Sequence, residues 1–196
     1  MPSYLYNDIM IKRLGAFFLD VFEVVVFAIG IFFFVYLLVM RPHKIDGLSM
    51  MPNFPDNEYL LTEKVTYYMK SPQRGDVVVF TPPVTNLDEY IKRVVALPGE
   101  TVAIKDGLVY INGKILEETY LDQSLNTNSG PFLQEGEEFV VPEDQYFVMG
   151  DNRPNSSDSR YWGPITKKSI SGRAWVIYWP LNLFGSVPKP VYSFGN

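Results

Sequence analysis

The chain has 196 residues, 47% hydrophobic and 20% charged, with 22 acidic side chains against 17 Lys and Arg and a formal charge of −5. That balance excludes a nucleic-acid binder, whose affinity for phosphate comes largely from clustered cations. The absence of cysteine and the single histidine exclude disulfides, thiol catalysis and cysteine-ligated metal, and leave a histidine-dependent nucleophile only His43 to draw on; no cofactor or metal is expected.

Residues 24–40 form an uncharged apolar run of 17 residues, about 25 Å as a helix and slightly short of the ~30 Å hydrocarbon core. Extending the run back to Leu14 supplies the missing length and brings in Asp20 and Glu23, three apart on one helical face. They lie near one end, where acids cost less than at the bilayer centre. Residues 14–40 are therefore predicted to be a transmembrane anchor. A cleavable signal peptide is the alternative, disfavoured by the length of the run and by Met40-Arg41-Pro42-His43-Lys44, which has no small-x-small cleavage pattern. Lys12 and Arg13 precede the span and Arg41 and Lys44 follow it, so charge alone leaves the orientation open.

After Lys44 the periodicity becomes strand-like. Residues 58–65 suit a strand, and the β-branched run 75–80, between Pro72 and Pro82-Pro83, reads as a buried one. Residues 90–97 form a strand with one anomaly. Lys92 shares a face with Tyr90, Val94 and Ala96, a lone ammonium among apolar neighbours, while Arg93 points the other way with Ile91 and Val95. Burial lowers a lysine pKa and can turn the amine into a proton acceptor near neutral pH. Segments 101–105, 108–111 and 114–116 are separated by Asp106-Gly107 and Asn112-Gly113, dipeptides suited to the positive φ of tight hairpins, which predicts a meander. Residues 115–145 hold eight acidic side chains and no basic one, predicting a solvated loop or ribbon rather than a recognition patch. Segments 138–141, 146–149 and 173–179 complete the strands. The expected fold is mainly β: an antiparallel sheet or open barrel at 41–196, behind one N-terminal transmembrane helix, with about 101–149 an accessory hairpin or ribbon insertion.

A lysine base needs a nucleophile, and Ile45-Asp46-Gly47-Leu48-Ser49-Met50-Met51-Pro52 offers Ser49, whose proton an uncharged lysine can take without histidine. Gly47 lets backbone approach closely and Pro52 fixes the exit, leaving main-chain N–H groups beside Ser49 for an oxyanion. On its own this segment reads better as a serine in a loop behind an anchor. A third cluster, at 150–165, packs glycines, turn-formers and hydroxyls, and supplies an oriented hydroxyl and at least one Asp–Arg pair.

Four ordered motifs stand behind the span: Ser-Met-x-Pro at 49–52, Arg-Gly-Asp-Val-Val at 74–78, Lys-Arg-Val-Val-Ala-Leu-Pro-Gly-Glu at 92–100, and Gly-Asp-Asn-Arg at 150–153 followed by Asn-Ser, Asp-Ser-Arg and Tyr-Trp-Gly. With them the chain, from the anchor to about Pro180, resembles the bacterial type I signal peptidases. The resemblance implies that Ser49 is the nucleophile and Lys92 the general base, later the acid for the leaving amine. Ser156 matches the hydroxyl that orients the lysine, and the Ser49 amide forms the oxyanion hole. Gly47 stands where some relatives add a serine hydroxyl. Arg93, Asp158 and Arg160 match a structural ion-pair network. Ile45, Met50, Tyr90 and Ile91 match pocket positions. Asn53 and Phe54 replace the usual Thr and Leu, with Phe54 expected beside the pocket.

The implied reaction is cleavage of exported preproteins after a small-x-small motif, typically Ala-x-Ala. Residues 1–13 would be cytoplasmic and 41 onward extracytoplasmic, in a single-pass plasma-membrane protein whose further partners are the lipid bilayer and the secretion translocon. Three rival readings fit the sequence less well. A non-catalytic chaperone or adapter in surface-protein assembly would have no reason to keep both Ser49 and Lys92. A soluble Ser-Lys self-cleaving regulator would lack the anchor and carry DNA-binding helices. His43 as the base is less fitting than His43 as a membrane-surface residue just after the span.

Overall fold

With no proline between Pro2 and Pro42, nothing interrupts the backbone hydrogen bonds of the N-terminal segment, and one helix propagates through it. The computed structural model describes residues 3–85, 88–122 and 125–195, and falls into two compact units, Met1–Met40 and Arg41–Asn196. Helix α1 (Ser3–Leu38) belongs to the first. Within it Lys12–Tyr36, 25 residues, is long and apolar enough to cross a membrane. The helix stops at Leu38 and Met40 already opens β1 (Met40–Lys44), so the helical part of the expected 14–40 span is shorter at its C-terminal end. The extended backbone that Pro42 imposes on Arg41 accounts for the stop.

The second unit is built from two antiparallel sheets. Its elements are β2 (Tyr59–Glu63), a short helix α2 (Val65–Met69), β3 (Val77–Phe80), β4 (Tyr90–Ala96), β5 (Thr101–Lys105), β6 (Leu108–Ile111), β7 (Lys114–Glu117), β8 (Glu138–Val140) and β9 (Gln145–Met149). They are followed by α3 (Ser159–Trp162), β10 (Ile165–Thr166), β11 (Ile170–Trp179), β12 (Gly185–Ser186) and β13 (Ser193–Phe194). One sheet, curled into a half-barrel, runs β1-β2-β11-β3-β4-β9-β10 with β12 added to β11; the other runs β13-β7-β6-β5-β8. The expected mainly β, antiparallel class is the observed one.

Turn chemistry accounts for the second sheet. Asp106 and Gly107 have φ of 52° and 77°, and Asn112 and Gly113 of 53° and 78°, the left-handed pairs that tight hairpins need. In the first sheet β3 is buried on both faces. Val77 packs with Ile45, Met50, Phe54 and Leu60, while Val78 packs with Phe80, Val94 and Val148. This double burial explains why 77–80 reads as a continuous apolar run rather than an alternating one. Strand β4 is central, with β3 along one side in the register Val78↔Lys92 and β9 along the other from Arg93 to Ala96. Residues 90–92 therefore keep an edge free of β9, because that strand has turned away at Gly150.

The acidic stretch departs from expectation at its start. Seven of its eight acids are exposed, as a solvated ribbon requires, but Glu118 pairs with the buried Arg153, Tyr120 packs on Arg93, and Leu133 and Thr127 are buried. The ribbon is a cover whose outer face alone is solvated.

One buried carboxyl stands apart. Glu58 is 1% exposed and neither carboxylate oxygen has a hydrogen-bond partner among the described residues. Burial lifts its pKa from 4.5 to about 7. Because the folded pKa is raised, the folded state holds its proton after the unfolded chain has lost it, so stability is complete below pH 4.5 and falls as pH rises to 7. Glu58→Gln should stabilise the protein at pH 8 and change little at pH 4. Denaturant titrations of both proteins at the two pH values check this, and a difference that does not grow with pH contradicts it.

Candidate active site

Residues 45–58, which follow β1, form a loop held at its base by Ile45 N–H donating to the Glu58 carbonyl (2.8 Å) and Asn57 N–H to the Ile45 carbonyl (3.0 Å). Gly47 sits at φ 109°, a conformation closed to other residues at little cost, and its N–H donates to Asp56 Oδ1 at 2.9 Å. Phe54 N–H returns to the Met50 carbonyl (3.0 Å), a helix-like turn that puts residues four apart on one side. Met50 and Phe54 are both fully buried in the core with Leu60, Val77, Ala174 and Ile177. They anchor the loop from below and leave Ser49 at its crest.

Lys92 meets Ser49 from β4. Its Nζ lies 2.6 Å from Ser49 Oγ and donates to the Ile91 carbonyl at 2.9 Å, with the Tyr90 ring centre 5.4 Å away. Lys92 is 4% exposed, and burial, partly opposed by Asp158 and Asp151, lowers its pKa from 10.5 to about 8. At neutral pH the amine therefore remains mostly protonated but holds a neutral fraction far larger than that of an ordinary lysine, and it becomes mostly neutral above pH 8. Among the described residues Ser49 N–H donates to no protein acceptor.

The turn after β9 closes over this pair. Asn152 donates twice, from its N–H to the Ser49 carbonyl (3.0 Å) and from Nδ2 to the Leu48 carbonyl (3.0 Å). A Cβ on Gly150 would collide with Ser156 Oγ and the Ser49 carbonyl, so only glycine lets the turn come this close. Ser156 is buried beside the Ser49 carbonyl, its hydroxyl without a hydrogen-bond partner among the described residues; the bonds of Lys92 go to Ser49 and Ile91 instead.

On the opposite face of β4, Arg93 grips Asp151 through Nε (2.8 Å) and Nη2 (2.6 Å), and the Tyr120 ring centre lies 4.3 Å from its guanidinium. Asp158 and Arg160 form a second buried pair (2.8 and 2.7 Å), and Asp158 also accepts from Gly150 N–H at 3.1 Å. The ion-pair network expected of Arg93, Asp158 and Arg160 is thus two separate pairs.

A cleft of about 590 Å³ opens at the dyad, walled by Ile45, Leu48, Leu60, Val79, Tyr90 and Ile91, with His43, Asp88 and Glu89 farther along. The described residues hold no cluster of His, Asp and Glu suited to a metal ion.

A family model for signal peptidase, peptidase S26, matches residues 18–179. The chain belongs to the signal peptidase family. It is 42% identical to a signal peptidase I of Leptolyngbya laminosa over 177 residues, covering 86% of this chain and 81% of that one. It is 35% identical to a signal peptidase I of Bacillus licheniformis over 164 residues, 82% and 88% of the two chains. A crystal structure of a signal peptidase I from Enterococcus faecalis V583 shares 36% identity, covers 53% of this chain and 97% of its own, and superposes with a TM-score of 0.43. This chain is accordingly a serine endopeptidase that cleaves signal peptides from secreted preproteins, with an apolar N-terminal helix compatible with membrane anchoring. An adapter without catalysis no longer describes it.

Of the pocket positions expected for a signal peptidase, Ile45, Tyr90 and Ile91 line the cleft, whereas Met50 and Phe54 face the core for the reason given above. At Phe54 the departure thus changes the underside of the loop, and at Asn53 its exposed flank, not the wall of the cleft. Leu60 and Val79 were missed as wall residues because only the curl of the sheet brings β2 and β3 under the dyad. His43 also lines the cleft, its Nδ1 3.4 Å from Glu89. It makes no bond to Ser49. Asp151, the partner of Arg93, was missed too; it was the unassigned acid of the Gly-Asp-Asn-Arg motif.

Proposed function

We propose that this signal peptidase works by a Ser–Lys dyad. The reading is carried by the 2.6 Å contact between Ser49 Oγ and a buried amine whose pKa is brought to about 8. Neutral Lys92 takes the Ser49 proton as Oγ attacks the scissile carbonyl, and the Ser49 N–H stabilises the oxyanion. The ammonium so formed protonates the leaving amine, and the regenerated amine then activates a water to hydrolyse the acyl-enzyme. Gly47 brings no side-chain donor. Ser156, unpartnered beside the dyad, orients the amine once the Ser49 proton has moved.

An extended signal peptide pairs with the open edge of residues 90–92. Its alternate side chains then face Ile45, Leu60, Val79, Tyr90 and Ile91, which favours small residues one and three positions before the cut, as in Ala-x-Ala. Arg93, Asp158 and Arg160 hold the scaffold and take no part in proton transfer. Residues 14–40 are the anchor in the lipid bilayer of the cell membrane and 101–149 an accessory insertion. Residues 1–13 are cytoplasmic and 41 onward extracytoplasmic, where preproteins emerge from the secretion translocon.

The test is cleavage of an Ala-x-Ala preprotein by the purified chain in detergent. Ser49→Ala should reduce kcat to background, and Ser49→Ala with Lys92→Ala should be no slower than either alone, because residues acting as a unit are non-additive. Cleavage sustained by Ser49→Ala would overturn the mechanism.

A further inference from the structure

The members of the dyad ride on different elements, Ser49 on a loop and Lys92 on a central strand, so the reaction depends on holding loop against strand to a fraction of an ångström. Two of the bonds that fasten the loop, those from Asn152, reach only the main chain of Leu48 and Ser49. A third is different. Asn53 Nδ2 donates to Asp151 Oδ2 at 2.9 Å, the carboxylate that grips Arg93, and Arg93 is the chain neighbour of Lys92.

Asn53, Asp151 and Arg93 thereby form a side-chain route from the nucleophile loop to the strand of the base. The same amide donates to the Tyr120 carbonyl at 3.0 Å, while the Tyr120 ring covers Arg93. A side-chain amide suits this place because it has two N–H donors and no charge to oppose the two carboxylate bonds already made to Arg93. Asn53 itself is exposed, so its removal disturbs little packing.

We propose that Asn53 is a positioning residue that keeps Ser49 aligned with Lys92 through Asp151. It touches neither the reacting atoms nor the cleft. The proposal rests on Ser49 and Lys92 being the dyad.

The test uses the full chain in detergent with Asn53→Thr and Asn53→Val, which differ by a hydroxyl in place of a methyl group. Threonine keeps one donor for Asp151 and valine none. Asn53→Thr should retain kcat within about threefold of the parent, whereas Asn53→Val should lose about tenfold in kcat with KM unchanged, the size expected for a lost bond to a charged group. Their melting temperatures should agree within about 3 °C. Equal kcat for the two variants, or a valine loss that appears in KM or in melting temperature instead of kcat, overturns the proposal. Ser49→Ala and Lys92→Ala in the same assay separate the two levels. If either still cleaves, the dyad reading fails; if both are inactive while threonine and valine are equal, only the role of Asn53 fails.

Discussion

Lys92→Met should lower kcat by at least ~10²–10⁴, the usual contribution of a general base, and at the same time make the folded protein more stable near neutral pH. Both effects follow from burying an amine. The folded pKa is about 8 against an ordinary 10.5, so below pH 8 the folded state carries an ammonium in a poorly solvating site, at a cost of about 3 kcal/mol. Between 8 and 10.5 the unfolded chain binds the proton and the folded one does not; stability therefore rises with pH through that window, and the cost is gone above 10.5. Methionine is uncharged and of similar length, and removes the cost at the expense of two hydrogen bonds worth about 1 kcal/mol each. A net gain of about 1 kcal/mol is expected at pH 6.5, turning to a loss at pH 10.5, measurable as unfolding free energy in detergent.

A variant that is less stable than the parent at pH 6.5 would contradict the burial account. Lys92→Arg should be inactive as well, since a guanidinium keeps its proton. The parent enzyme should gain about tenfold in kcat/KM per pH unit below about 8 and level off above it, and a flat profile would argue against a neutral lysine as base.

Lys92 was legible because strand periodicity is short-range: a charge at the wrong parity among Tyr90, Val94 and Ala96 is visible in seven residues. The hairpins β5–β6 and β6–β7 were legible for the same reason, each being specified by two turn residues. What the chain did not disclose depends on residues far apart in sequence. Tyr120 over Arg93 and Glu118 on Arg153 join segments that only the folded sheets bring together, and a count of acidic residues treats Glu118 like its solvated neighbours. Phe54 was expected in the pocket because it follows the nucleophile motif closely. One helical turn reverses that inference by facing it, with Met50, into the core. The contact of His43 with Glu89, 46 positions on, is likewise invisible before the fold brings the two together. The buried but unpartnered Ser156 hydroxyl could be placed near the dyad by its motif, yet its bonding could not.

Asp151→Asn should cost about 3–5 kcal/mol of stability, the range for leaving one member of a buried ion pair alone, or roughly 10 °C in melting temperature for a domain of this size. Asp151 and Arg93 are both nearly inaccessible to solvent, and without the carboxylate charge the guanidinium faces only neutral partners, the asparagine amide oxygen, the Gly75 carbonyl (3.1 Å) and the Tyr120 ring. Arg93→Met alone should be damaging for the converse reason, since it strands a carboxylate whose remaining side-chain donor is Asn53. The combination Arg93→Met with Asp151→Leu removes both charges and fills the space with apolar groups, and should recover most of the stability lost by either change. A double variant as unstable as the sum of the singles would mean that the pair is not what the fold depends on here. Activity then separates the two duties of the pair: if Asp151 also fastens Asn53 to the strand of Lys92, the double variant should refold to near-parental stability while its kcat stays about tenfold low.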